Sequence, residues 1–147
     1  MTLEKFRLDG KLTLITGGTR GIDLAIAQAF GEAGARLVIS SRSPVPEAER
    51  SLRNAGYEVD FIAADLEQEQ APQQLVDEVL KRHGRIDVLV NNAGVAIHRD
   101  SGDFDEARWR RIMSLNLDAV WQLRQNLFWG EQRSSRPQRR LMRLAKE

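Results

Sequence analysis

The sequence predicts an α/β fold with a doubly wound parallel sheet. Two observations indicate it: short β-rich segments alternate with helical segments over residues 1–129, and a glycine cluster follows the first of these segments. Alternation of this kind builds right-handed βαβ units, in which successive strands run parallel. The length of 147 residues and the hydrophobic content of 41% suit one domain with its own core.

The first two strand–helix pairs are delimited by glycine and proline. An apolar strand runs into the glycine cluster, and the helix after it stops at Gly31–Gly34. Pro44 and Pro46 break the connection between the second strand and its helix, which Gly56 ends. These predicted strands are 12–16 and 36–40, and their helices are 24–30 and 47–54.

The next two pairs follow the same pattern. A β-rich alternating segment gives the third strand, and Pro72 suits the first turn of a helix that Gly84 ends. Asp105 suits the first turn of a last, long helix. The predicted strands are 57–63 and 86–90, the helices are 72–83 and 105–129, and the last helix has an apolar face of Ile112, Leu115, Ala119, Leu123 and Leu127.

Composition excludes several kinds of site and location. The chain has no cysteine, so it forms neither disulfides nor thiolate metal sites, and we expect no metal. The segment Met1–Gly10 mixes charged and apolar residues unlike a signal peptide, and no apolar run is long enough to span a bilayer. We therefore expect a cytoplasmic protein without membrane association.

The C-terminal segment differs from the rest of the chain in charge. Residues 1–129 carry 16 Lys/Arg and 19 Asp/Glu, whereas residues 130–147 carry 6 and 2. We predict a folded body at 1–129 and a basic tail at 130–147 that is disordered in its first part. Its arginines could bind nucleic-acid phosphates, but the tail lacks interleaved aromatic residues, and a solvated tail is the simpler interpretation.

The glycine cluster at Thr16–Asp23 reads Thr-Gly-Gly-Thr-Arg-Gly-Ile-Asp. At such a turn, backbone N–H groups and a helix N-terminus can bind a pyrophosphate, with Gly17 permitting the turn and Gly21 a close approach. A glycine-rich turn can equally serve only to connect a strand with a helix. This motif alone leaves both interpretations open.

Three further motifs stand in register with the glycine cluster. They are Asp65 after the third strand, Asn91-Asn92-Ala93-Gly94 after the fourth, and Asn116 in the long helix. Together with Thr-Gly-x-x-x-Gly-Ile, they resemble the short-chain dehydrogenase/reductase family over residues 8–125. The resemblance implies a Rossmann-like doubly wound sheet, incomplete here with strand order 3-2-1-4, and a nicotinamide dinucleotide as binding partner.

The resemblance also implies a role for each matching residue. Asp65 and Leu66 would border the adenine. Asn91, Ala93 and Gly94 would line the floor of the cofactor site. Asn116 matches the asparagine of the family's catalytic tetrad, whose helix kink and backbone carbonyl help to hold a proton-relay water. The residues that would surround the pyrophosphate and the adenosine ribose are Gly17, Thr19, Arg20, Gly21 and Ile22.

The residues after the second strand favour NADP over NAD. An acidic side chain there would bind the ribose 2′-hydroxyl, whereas a basic one accommodates a 2′-phosphate. Ser41 and Arg42 stand at this point, and Arg20 supplies a second cation. Guanidinium groups can pair with phosphate in bidentate fashion. The alternative is that both arginines are solvated surface residues.

Two departures from the family pattern bear on activity. Asp23 replaces the family's third glycine, and a carboxylate about 5 Å from a phosphate costs about 3 kcal/mol at an effective dielectric near 20, so we expect weakened binding. The family's chemistry also needs a serine and a Tyr-x-x-x-Lys pair, but the one tyrosine here, Tyr57, lies at the third strand and no such pair exists.

We therefore expect an NADP-dependent oxidoreductase by ancestry, acting on a carbonyl or alcohol substrate such as a sugar acid or a 3-oxoacyl group. We expect no turnover by this chain alone. A non-catalytic nucleotide-binding remnant or regulatory partner is the alternative, either as a homo-oligomer or in association with an intact homologue. The abrupt change of composition after 123–126 leads us to expect a frameshift-derived tail.

Overall fold

Four parallel strands form the centre of the protein, whose computed structural model describes residues 3–98 and 100–134. The strands are β1 (Leu12–Thr16), β2 (Arg36–Ser41), β3 (Val59–Ala63) and β4 (Val88–Val90). They lie in the order β3-β2-β1-β4, with Leu14 beside Val38 on one side and Leu89 on the other. This order confirms the predicted α/β class and the Rossmann-like arrangement.

Helices cover both faces of the sheet. They are α1 (Gly21–Glu32), α2 (Pro46–Asn54), α3 (Ala71–His83), α4 (Glu106–Met113) and α5 (Ala119–Ser134), and short 3₁₀ turns lie at Leu3–Phe6 and Ser101–Asp103. Successive residues of β1 face opposite cores: Leu14 packs with α3 and α5, and Ile15 packs with α1 and α2. Strands buried on both faces read as continuous apolar runs, which is why β1 and β2 could be recognised in the sequence. Among the described residues no helix is long and apolar enough to cross a bilayer.

The third and fourth strands are two residues shorter than the sequence predicts. The amide of Tyr57 donates to the carbonyl of Leu52, so Tyr57 closes the C-terminal turn of α2 instead of starting β3. Asp87 N–H donates to Leu12 O, and the Asp87 carboxylate accepts from Leu12 N–H at 2.8 Å. These bonds tie the approach to β4 to the start of β1, before the regular ladder begins.

Gly31 lies inside α1, although the sequence predicts that the helix stops there. A Cβ at Gly31 would lie 2.6 Å from Cγ of Tyr57, so the glycine is required by close packing of that ring on the helix. The chain turns three residues later, at Gly34, which has φ +95°. The two glycines therefore have different physical roles, which their sequence spacing does not distinguish.

The long C-terminal helix is interrupted and extends past its predicted end. A π-helical segment at Ser114–Asp118 joins α4 to α5, and α5 continues to Ser134. Gly130 is buried, and a Cβ there would lie 2.6 Å from Leu80 Cδ1 in α3. The predicted boundary between 129 and 130 is thus crossed by a packed helix, and 130–134 are helical instead of disordered. The rest of the predicted tail, 135–147, lies outside the described residues.

Candidate cofactor-binding site

A cleft of about 190 Å³ lies at the carboxyl ends of the four strands. In parallel α/β sheets this edge is where ligands bind, because loops from neighbouring strands converge there. The cleft brings together seven of the predicted site residues: Gly17, Ser41, Arg42, Asp65, Leu66, Ala93 and Gly94. Ligand pockets usually enclose roughly 300–1,000 Å³, so this cleft would enclose only part of a dinucleotide.

The loop after β1 has a backbone that suits anion binding. Gly17 has φ +89° and Gly21 has φ +49°, values that side-chain-bearing residues rarely adopt. Thr19 is buried and its hydroxyl donates weakly to the Gly17 carbonyl at 3.4 Å, while Arg20 and Ile22 are exposed. The N-cap residue Arg20 makes no side-chain cap bond, and the Asp23 amide donates to the Arg20 carbonyl at 2.9 Å, so a ligand would meet the amides of Gly21 and Ile22. Thr19, Arg20, Gly21 and Ile22 lie beside the cleft and do not line it.

Thr16 connects this loop to the loop after β4. Its hydroxyl donates to Val90 O at 3.3 Å and accepts from the amides of Asn92 and Ala93 at 3.1 and 3.2 Å. The side chain is buried, so these bonds satisfy polar groups that have no access to water. Thr16 was not among the predicted site residues and entered only as the start of the glycine loop. A hydroxyl at the last position of the strand, directly before the glycine loop, was the available signal.

Asn116 braces the floor of the cleft from the π-helical segment. Its side chain accepts from Val95 N–H and donates to Val95 O, both at 2.9 Å. A Cβ at Gly94 would lie 3.3 Å from Asn116 Oδ1, so glycine allows this close approach. The asparagine therefore holds the Asn-Asn-Ala-Gly loop in place, and the irregular helix turn predicted at this residue is present. Asn91, by contrast, is exposed and lies outside the cleft lining.

Asp23 places a carboxylate at the phosphate-loop end of the cleft. Its Oδ1 accepts from Asn92 Nδ2 at 2.5 Å, and its Oδ2 would lie 3.0 Å from a Cβ built at Gly17. Asp23 also lies in the first turn of α1, where the helix dipole favours a negative charge. The carboxylate thus lies between the glycine loop and the loop after β4. Asn92, which holds it, was not among the predicted site residues.

The opposite end of the cleft carries a cluster of charged residues. Glu67 forms a two-point ion pair with Arg111, with both N–O distances at 3.0 Å, and lies 3.6 Å from Arg42. The hydrogen bond from Arg111 to Glu67, helped by their opposite charges, raises the pKa of the guanidinium above its ordinary value. Asp65 accepts from the Glu67 amide at 3.3 Å, which shapes the turn after β3. Neither Glu67 nor Arg111 was a predicted site residue.

The residues present fit a nicotinamide dinucleotide unequally along its length. The end that the resemblance assigns to adenosine has Leu66 as an apolar wall and Arg42 as a cation, whereas the end assigned to the pyrophosphate has glycine backbone beside the Asp23 carboxylate. Over the described ranges, 3–98 and 100–134, no group of three His, Asp or Glu side chains is arranged to hold a metal ion.

Comparison with known proteins decides the family. A family model described as short chain dehydrogenase matches residues 11–132. The chain belongs to the short-chain dehydrogenase/reductase family. The match extends beyond residue 129, in agreement with the packing of Gly130 on α3.

Three members of the family illustrate the similarity. The chain is 35% identical over 123 residues to the uncharacterized oxidoreductase YgcW of Escherichia coli, covering 83% of this chain and 47% of that protein. It is 37% identical over 117 residues to the NADP-dependent (R)-specific alcohol dehydrogenase of Lentilactobacillus kefiri, covering 78% and 46%. A gluconate 5-dehydrogenase from Burkholderia cenocepacia, solved with NADP and tartrate, superposes with a TM-score of 0.78 at 36% identity, covering 88% and 52%. The chain therefore spans about half the length of the relatives it matches.

Proposed function

We propose that this chain is the cofactor-binding part of an NADP(H)-dependent oxidoreductase that interconverts a carbonyl and an alcohol. The observation that carries the proposal is that three of the four family motifs line one cleft with Arg42, while the fourth, Asn116, holds Val95 of that lining. Relatives at similar identity include an NADP-dependent alcohol dehydrogenase and a gluconate 5-dehydrogenase solved with NADP. These names support NADP over NAD and a hydroxylated substrate such as a sugar acid; a 3-oxoacyl group is the other substrate class we propose.

Each part of the cleft has a distinct task in this proposal. The turn at Gly17 and the Gly21 and Ile22 amides at the start of α1 would receive the pyrophosphate, and Asp65 and Leu66 would border the adenine. Arg42 would pair with the 2′-phosphate, with Ser41 beside it. The nicotinamide, when bound, supplies or accepts the hydride. Asn116 keeps the floor of the cleft in place through Val95.

We further propose that this chain alone binds cofactor without turning over substrate. The family's proton transfer requires a Tyr-x-x-x-Lys pair, and the 147-residue chain contains none. We therefore expect the chain to bind cofactor in a binding assay and to show no activity in a turnover assay.

A binding titration paired with a turnover assay tests the proposal. NADPH fluorescence should change in a saturable manner on addition of the purified chain, and NADP⁺ should reverse the change by competition. NADPH oxidation with keto-gluconate and 3-oxoacyl substrates, and NADP⁺ reduction with gluconate, should stay at the rates without protein. Absence of NADPH binding would refute the cofactor assignment, and steady turnover would refute the separation of binding from catalysis.

The exposed aromatic side chains of α4 and α5 favour a second candidate, a non-catalytic partner of another chain. Trp109, Trp121, Phe128 and Trp129 are each more than half exposed, an unusual number of large apolar side chains for one helical arm. Such a surface suits association with a second copy or with an intact homologue. Sedimentation velocity over a range of concentrations, alone and with an intact family member, separates these two partners.

A further inference from the structure

The adenosine end of the cleft holds an internal anion between two guanidinium groups. Arg111 Nε lies 3.0 Å from Glu67 Oε2, and Arg111 Nη2 lies 3.0 Å from Oε1. On the other side, the same Oε1 lies 3.6 Å from Nη1 of Arg42. Glu67 follows β3, Arg42 follows β2 and Arg111 belongs to α4, so three elements meet at one carboxylate.

The carboxylate of Glu67 is less exposed than either of its partners. The side chain of Glu67 is 22% exposed, against 63% for Arg42 and 43% for Arg111. Guanidinium groups bind carboxylates and phosphates with the same fork geometry. The carboxylate therefore occupies the position in which a phosphate would meet two cations.

We propose that Glu67 is a specificity-determining residue, because its carboxylate competes with the cofactor's 2′-phosphate for Arg42 and Arg111. This inference rests on the proposed function, since it concerns the same cleft and cofactor. A ribose with a free 2′-hydroxyl leaves the cluster intact. A 2′-phosphate has to displace the carboxylate from Arg42 before it can pair. Residue 67 thus sets the ratio between NADPH and NADH affinity.

The charge of the cluster gives the size and direction of the effect. Arg42, Arg111, Glu67 and Asp65, whose charge also acts on Arg111, sum to zero, whereas a neutral residue at 67 leaves one net positive charge. We expect Glu67→Gln to tighten NADPH binding about fivefold, which equals about 1 kcal/mol and is the upper range for an exposed ion pair. NADH affinity should not change, and the gain should shrink as salt screens the charges.

Arg111 distinguishes competition from simple support of the loop. Arg111→Gln leaves Glu67 paired with Arg42 alone, so NADPH should bind more weakly while NADH affinity stays the same. In the double variant, Glu67→Gln with Arg111→Gln, NADPH affinity should return to about the wild-type value. Glu67→Asp keeps the charge and should keep the wild-type ratio. Opposite single effects that cancel in the double variant would mean that the two side chains act on the 2′-phosphate through their summed charge.

The experiment is a calorimetric titration of the whole chain and these variants with NADPH, NADH, adenosine 2′-monophosphate and adenosine 5′-monophosphate, at low and high salt. Glu58→Gln is the matched control, because Glu58 pairs with Arg36 at 2.8 Å at the opposite, amino-terminal edge of the sheet. Thermal melts establish that each variant is folded. If Glu67→Gln is unfolded, the loss of NADPH affinity expected for Arg111→Gln tests the inference instead.

The outcomes separate this inference from the proposed function. A selective gain for NADPH and adenosine 2′-monophosphate in Glu67→Gln supports competition. An unchanged or lower NADPH affinity in Glu67→Gln, or an equal gain in NADH affinity, overturns the inference. In either case, NADPH binding by the wild type still supports the proposed function. If neither the wild type nor any variant binds NADPH or NADH, both the inference and the proposed function are wrong.

Discussion

The two ends of the cleft each carry an internal carboxylate, and they differ in what holds it. Asp23 accepts a hydrogen bond from the neutral carboxamide of Asn92, whereas Glu67 is paired with Arg111 and lies near Arg42. A carboxamide leaves the negative charge in place, while a guanidinium neutralises it. The phosphate-loop end should therefore oppose the negative charge of a dinucleotide more strongly than the adenosine end does. The effect of an acidic residue at such a site depends on its partner as well as on its position.

Removing the charge of Asp23 should have the largest effect on NADPH affinity and would make the two ends of the cleft more alike. Asp23→Asn should tighten NADPH binding up to about a hundredfold, because a charge about 5 Å from a phosphate costs about 3 kcal/mol at an effective dielectric near 20. Asp23→Gly should gain at least as much, since it also removes the side chain. Fluorescence titration with NADPH measures both. Glu32→Gln, at the far end of α1, is the control, and an unchanged dissociation constant for Asp23→Gly would show that the carboxylate does not oppose binding.

Asn116→Ala tests the floor that both ends share. The change removes both bonds to Val95, which should lower the free energy of unfolding by about 1 kcal/mol and the Tm by about 2–4 °C. Leu117→Ala is the control on the same helical segment. Asn116→Ala should also weaken NADPH binding, because the floor of the cleft is less well held. Since the floor is uncharged, this loss should simply add to the gain from Asp23→Asn. Strong non-additivity in the double variant would mean that the two ends are coupled through the loop.

Asp87 extends the comparison to the opposite edge of the sheet. Like Glu67 it is paired with an arginine: Arg85 lowers the pKa of Asp87, burial opposes the shift, and the bond from Leu12 N–H assists it. A lowered pKa stabilises the fold above the ordinary aspartate value, about 3.9, and this contribution is lost as the pH falls below that value. Wild type should thus lose more stability than Asp87→Asn between neutral pH and about pH 3. Urea unfolding at several pH values measures this, and parallel pH curves for the two proteins would contradict it.

Much of the fold was predictable because the sheet is buried on both faces. The predicted strands 12–16 and 36–40 are mostly apolar, and glycine and proline mark the ends of the elements between them. The strand order and the placement of Asp65, Ala93 and Gly94 came from the family resemblance. Periodicity alone could not assign them, because it does not specify which strands are neighbours.

The contacts within the cleft could not be predicted from the sequence. Asp23 and Asn92 are 69 residues apart, and Glu67 and Arg111 are 44 residues apart, so their pairing depends on the three-dimensional packing. The sequence indicated the charge of Asp23 but not the carboxamide that holds it. The π-helical segment similarly rotates the apolar face of α5 relative to that of α4. A pattern search with a constant helical period cannot detect such an interruption.

Hydrogen–deuterium exchange of the 147-residue chain with and without saturating NADPH tests the central claim most directly, because it locates the bound cofactor. We predict slower exchange in 17–22, 41–42, 64–67 and 92–95, and little change in α2 or at the exposed face of α5. Binding of NADPH without protection of these four segments, or with protection confined to 106–134, would contradict the assignment of the cleft as the cofactor site.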